Sequence, residues 1–121
     1  MVSDVSIAIK KKYLVITVTG LYQYWDFIKY PDHILDTCNT HGIYKVLVDV
    51  RLVKAEDIAM IELFFIGEKI ADVLTTKVKL AIVWKKESLS EFLVDVATNR
   101  SAFLRVFETP QRAEFWLLNN Y

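Results

Sequence analysis

Arg51, Lys54, Lys85 and Lys86 are the residues whose types and placement come nearest to a chemical site. They follow two apolar runs, 44–50 and 77–84. In an open α/β sheet the ligand crevice lies beyond the carboxyl ends of the parallel strands. Helix N-termini beside such ends offer unpaired amides to an anion. With Tyr22, at the end of an earlier run, the four cations make a candidate anion or small-ligand site. Glu56, Asp57 and Glu87 are interleaved with them, so a solvated surface of mixed charge is the competing reading.

The remaining reactive residue types read as structure. Asp49 and Asp57 are explained as a carboxylate at a strand end and one at a helix start. No nucleophile can be placed beside a base that a third group orients, and there is no glycine-rich phosphate loop. His33 and His41 lack metal-ligand spacing, and His41 suits the negative C-terminal end of a helix. A non-enzyme is therefore expected, with no catalytic residue, metal or cofactor. Cys38 reads as a small core hydrophobe, and Ser88 opens Ser88-Leu89-Ser90-Glu91, the pattern of a capping box.

Composition narrows the partners. With 15 Lys and Arg against 15 Asp and Glu, no net field draws the chain to nucleic acid or an anionic membrane. Its 121 residues suit one domain, 1–121, burying about two-thirds of the unfolded surface. A single cysteine excludes an internal disulfide, and no cleavable leader opens the sequence, so a cytoplasmic protein is expected. The apolar runs are too short and too interrupted by charge for stable membrane insertion.

The elements that must position these residues centre on strand 44–50 and the helix that follows, 57–74. At helical spacing Leu63, Ile66, Gly67, Ile70 and Leu74 form a broad apolar stripe for the core. The opposite face carries Glu62, Glu68, Lys69 and Asp72, yet Ile58, Ile61 and Phe65 lie among them. A row of exposed apolar side chains, each worth about 1.5–3 kcal/mol when buried, is a candidate interface, with Asp57 and Glu62 at its border. Gly67, on the inner face, forgoes about 1 kcal/mol of helix propensity, which close packing against the sheet would offset.

Residues 3–10 alternate, with Val5, Ile7 and Ile9 as the buried side of a strand. A lysine turn leads to a second strand, 13–19, and the two form an antiparallel hairpin. Tyr24, Phe27, Ile28, Pro31, Leu35 and Cys38 keep one helical phase, so 24–41 reads as a single helix kinked near Pro31 and stopped by Gly42. Strand 77–84, a helix beginning at Ser88, strand 103–107 and a helix 110–119 capped by Thr109-Pro110 complete the chain. Strands separated by helices run parallel with right-handed crossovers. The expected architecture is α/β: a mixed five-stranded sheet, with an N-terminal antiparallel hairpin, the remaining strands parallel and about four helices.

Three stretches carry a family likeness: Val46-Leu47-Val48-Asp49-Val50-Arg51 through Gly67-Glu68-Lys69-Ile70-Ala71; Ala97-Thr98-Asn99-Arg100 into Leu104-Arg105-Val106-Phe107; and Ala113-Glu114-Phe115-Trp116-Leu117. In order and spacing the chain resembles the small SpoIIAA-like proteins of the STAS/Sec14-related group, over residues 13–118. The resemblance implies a STAS-like fold. In anti-sigma-factor antagonists of that group a serine after an aspartate, in the turn after the third strand, is phosphorylated. Here the matching segment is Asp57-Ile58-Ala59-Met60, without a hydroxyl to carry phosphate.

The reading that follows is a non-enzymatic interaction or regulatory module, self-associating through the outer face of helix 57–74 or binding another protein there. The alternative is a carrier or sensor of a small apolar, lipid-like or anionic ligand. Tyr22, Tyr24, Trp25 and Phe27 and the Sec14-related likeness suggest it.

Overall fold

The computed structural model describes residues 3–10, 12–55 and 57–119. β1 (Ser3–Ile9) runs antiparallel to β2 (Leu14–Leu21); β2, β3 (Lys45–Lys54), β4 (Lys79–Val83) and β5 (Phe103–Phe107) are parallel. Sheet order follows chain order, β1-β2-β3-β4-β5. α1 (Tyr24–Phe27) and α2 (Tyr30–His41) link β2 to β3, α3 (Met60–Leu74) links β3 to β4, and α4 (Glu87–Thr98) links β4 to β5. Crossovers that step one strand at a time in one direction, each right-handed, place their helices on one face. α5 (Pro110–Leu118) returns across the other.

Two apolar layers result. Leu14, Ile16, Val46, Val48, Leu80 and Ile82 meet α2, α3 and α4 through Ile34, Cys38, Leu63, Ile66, Ile70 and Leu93. On the reverse face Leu47, Ala81 and Val83 pack with Tyr13 under Ala113, Trp116 and Leu117 of α5. β4 serves both layers, and all five of its residues are buried. The expected mixed sheet is therefore observed, with four helices and the four-residue turn of α1. Thr109 caps α5 as read, its hydroxyl accepting from the Arg112 N–H at 3.3 Å with Pro110 in the first turn.

Several local readings are corrected. Residues 24–41 form two helices: the chain turns at Ile28 and Lys29, and Pro31 sits in the first turn of α2, where its missing N–H breaks no helical bond. The shared phase survives because both helices press the same side on the core. α3 begins at Met60, not Asp57, with Ala59 extended at φ −68°, ψ 137°. α4 begins at Glu87, with Lys86 at its cap position and no side-chain capping bond. Ser88 thus lies inside the helix, and its side chain lies outside the described residues. Gly67 faces α4 instead of the sheet: a Cβ there would come within 2.8 Å of Val96 Cγ1. β1 buries neither row of side chains; Val5, Ile7 and Ile9 are 47%, 49% and 57% exposed because the helix layer stops short of the edge strand.

Candidate functional site

The carboxyl end of the sheet is shaped by a bulge. Thr17 opposes Asp49 and Thr19 opposes Leu52, so Val18 faces two residues of β3, Val50 and Arg51. A bulge interrupts the ladder and re-aims side chains. Here the Arg51 N–H donates to Asp49 Oδ1 at 3.0 Å, while the guanidinium Nε donates to the same oxygen at 3.0 Å and Nη2 to Oδ2 at 2.7 Å. Burial pushes the Asp49 carboxyl up, but the Arg51 hydrogen bonds and charge outweigh it and hold the group below its ordinary range. Arg51 is therefore committed to Asp49, which weakens its claim as an anion ligand. Lys54, Lys85 and Lys86, the other cations of that set, are exposed.

Beyond the bulge the chain dips inward. Ile58, expected on the outward row, is half-buried and packs on the core, because residues 57–59 precede the helix and do not share its phase. Its side chain helps wall an apolar cavity of about 90 Å³ between the sheet and α1–α4, which Tyr22, Phe27, Val50, Trp84 and Leu93 also line. The aromatic rings follow one another in tilted contact: Tyr22 to Phe27 at 4.9 Å and Phe27 to Tyr30 at 4.8 Å between centroids. The Tyr22 hydroxyl leaves the apolar wall and donates to Glu62 Oε1 at 3.0 Å. Burial, then the Glu62 carboxylate, push that phenol well above its ordinary pKa, so it remains a donor.

Glu62 thus ties the first turn of α3 to the end of β2. Outside this tie the helix presents Met60, Ile61 and Phe65, exposed by 48%, 58% and 44%. Ile61 and Phe65 are four residues apart and share one side of the helix. The Phe65 ring is held edge-on by Phe64 at 5.7 Å, and Arg100 lies 5.1 Å over Phe64 while pairing with Glu68 at 3.4 Å. Asp57 is exposed beside the loop. Of the residues expected at an interface, Ile61, Phe65, Glu62 and Asp57 are gathered at the start of α3, and Ile58 is withdrawn into the cavity wall.

Two features have no counterpart in the sequence expectations. Both lie beneath α5: the Tyr13 hydroxyl donates to Glu114 Oε2 at 2.5 Å, and buried Lys79 donates to the carbonyls of Trp116 and Asn119 at 2.6 and 2.8 Å. Burial, reinforced by Glu114, raises Tyr13 to about 12, whereas burial and the charge of Lys45 lower Lys79. These partners are separated by 37 to 101 residues, and no local periodicity links them.

Among the described residues no group of three or more His, Cys, Asp or Glu could hold a metal ion, and no helix is long and apolar enough to cross a membrane. No protein-family model and no curated protein matches the chain. Solved structures do. An anti-sigma factor antagonist from Mycobacterium paratuberculosis superposes with a TM-score of 0.65 at 9% identity, covering 97% of this chain and 95% of that one. An uncharacterized protein with a SpoIIAA-like fold from Shewanella loihica gives 0.59 at 18% identity over 96% and 93%. A variant of RsbS from Moorella thermoacetica gives 0.57 at 13% identity over 93% of both chains. The fold of this chain is SpoIIAA-like, as the resemblance implied.

Proposed function

We propose that this chain is a non-enzymatic regulatory module that binds another protein through the outer face of α3. The observation that carries the reading is the exposed Met60-Ile61-Phe65 surface at the start of that helix, anchored from below by the Tyr22–Glu62 hydrogen bond. Aligned large apolar side chains on an otherwise polar helix face are the seed around which interfaces form. The names of two structural neighbours, an anti-sigma factor antagonist and RsbS, favour regulation by protein contact over catalysis. Because residues 57–60 read Asp-Ile-Ala-Met, a phosphoryl group has no hydroxyl to occupy there, and control of the contact is by other means.

A second reading, a sensor or carrier of a small apolar ligand, is favoured by one specific observation, the cavity. Its volume of about 90 Å³ is below the roughly 150 Å³ that takes a benzene ring, so a ring-sized ligand requires Ala55 and Ile58 to give way. Those residues belong to the loop that starts α3, which would let occupancy alter the contact surface. Mass spectrometry of the purified, then denatured, protein tests for a co-purifying apolar molecule, and its repeated absence counts against this reading.

The first reading is tested by photo-crosslinking from the start of α3 in an extract of the source organism, with native protein and Ile61→Glu/Phe65→Glu in parallel. The expected result is one principal cross-linked protein whose capture falls at least tenfold in the variant, while far-ultraviolet dichroism is unchanged. Equal capture by both forms would refute the α3 surface.

A further inference from the structure

We propose that a second copy of this chain adds to the free edge of β1, antiparallel and about a two-fold axis at Ile7, joining two five-stranded sheets into one of ten strands. The inference is independent of the α3 contact. β1 is an edge strand, and among the described residues β2 is the only element against which it packs extensively. An unpaired edge is a template for another strand unless a proline, an inward charge or a covering segment blocks it. From Asp4 to Ile9 there is no proline, and the only charge is at the strand's start.

The backbone phase suits the proposed axis. Lys10 donates its N–H to the Tyr13 carbonyl at 2.9 Å, and residues of an antiparallel strand alternate in the side toward which they bond. Asp4, Ser6 and Ala8 therefore bond toward β2, opposite Thr19, Thr17 and Val15. Val5, Ile7 and Ile9 direct their N–H and C=O groups from the free edge. A two-fold axis at Ile7 makes Ile7 and its symmetry mate a doubly hydrogen-bonded pair, flanked on each side by Val5 bonded to Ile9 of the second copy.

Side chains agree with that register. Val5, Ile7 and Ile9 stand opposite Val18, Ile16 and Leu14, on the helix-bearing face, yet remain about half exposed. Val5 and Ile7 floor a groove beside α2, with Ile16, Val18 and Ile34. Pairing two copies sets the two apolar rows side by side across the new seam. On the reverse face the same axis sets Asp4 opposite Lys10 of the second copy, twice, and opposite charges directly across a strand pair are favourable. Parallel in-register pairing would instead set Asp4 against Asp4 and Lys10 against Lys10. An axis at Ser6 would face Asp4 with Ala8 and Ile9 with Ser3. Only the Ile7 axis satisfies the charges, the apolar row and the backbone together, and the contact is isologous, as a closed dimer requires.

Self-association expected on α3 is thereby placed on β1 instead, since α3 loses Ile58 from its row. Light scattering after size exclusion on the full chain, with sedimentation over a concentration series, tests this. The native chain is expected as a dimer. Ile7→Lys places two like charges at the axis and should weaken the dimer by at least a hundredfold, with the dichroism spectrum retained. Asp4→Lys should weaken it at least tenfold, and Asp4→Lys/Lys10→Asp should restore it. Those exposed positions keep the test valid should Ile7→Lys fail to fold. A native chain that stays monomeric at the highest attainable concentration overturns the proposal. So does a dimer indifferent to the β1 variants, or one that Phe65→Glu dissociates and Ile7→Lys does not.

Discussion

Gly67→Ala measures how closely α3 and α4 are docked. In an open helix the change would stabilise by about 1 kcal/mol, because alanine loses less backbone freedom. At this position the added Cβ would stand 2.8 Å from Val96 Cγ1 and 3.1 Å from Val96 Cβ, while Leu93 Cδ1, at 3.5 Å, is in ordinary contact. Val96 is buried, and a β-branched side chain in a helix has essentially one rotamer, so it cannot swing aside. Relief must come from separating the helices, and over-packing of this kind costs about 1–3 kcal/mol. The net expectation is a destabilisation of about 1 kcal/mol, read in urea as a midpoint lowered by roughly 0.5 M at unchanged slope. In a Val96→Ala background the 2.8 Å contact with Cγ1 is gone and only the 3.1 Å approach to Cβ remains, so Gly67→Ala should cost less there than in the native chain, with a net effect near zero. A raised midpoint for Gly67→Ala in the native background, or equal effects in both backgrounds, would refute the close-approach argument.

Asp49, whose carboxyl is held below its ordinary range, contributes stability that is complete above the unfolded pKa of about 4 and fades as pH falls through the lower folded value. Asp49→Asn should therefore be destabilised at pH 7, by about 1 kcal/mol for a partly exposed pair, and the difference from the native chain should shrink as pH falls below the folded value; a pH-independent difference would contradict this. Cys38 is fully buried, and burial, partly countered by Lys77, raises its thiol to about 11. A thiol reagent at pH 8 should label it only as fast as the protein unfolds, accelerating in urea; complete labelling of native protein within mixing time would rule that out.

Residues 44–50 and 63–74 made the central strand and helix legible, since apolar periodicity reports burial wherever one face meets one core. Thr109 and Pro110 marked the start of α5 for a similar reason: a cap is a bond between neighbours in sequence. The same logic misplaced the start of α4, where Ser88 matched a capping pattern that the backbone does not use. Ile58 matched the period of α3 without belonging to the helix, because the period fixes a phase but not a first residue. Of the candidate anion residues, Arg51 had a partner two positions away, and the structure shows the two joined beside the bulge in β3.

The amino-acid sequence by itself determined the strands, the parallel crossovers and the apolar faces of the central helix, because propensity, hydrophobic period and connection length act within a few turns of chain. Only the tertiary structure decided that β1 is left half uncovered, that Ile58 closes an apolar cavity with Tyr22 and Trp84, and that Gly67 admits Val96 of the neighbouring helix. Each depends on the distance between surfaces whose residues lie far apart in sequence, and that distance is set by how all the layers pack at once.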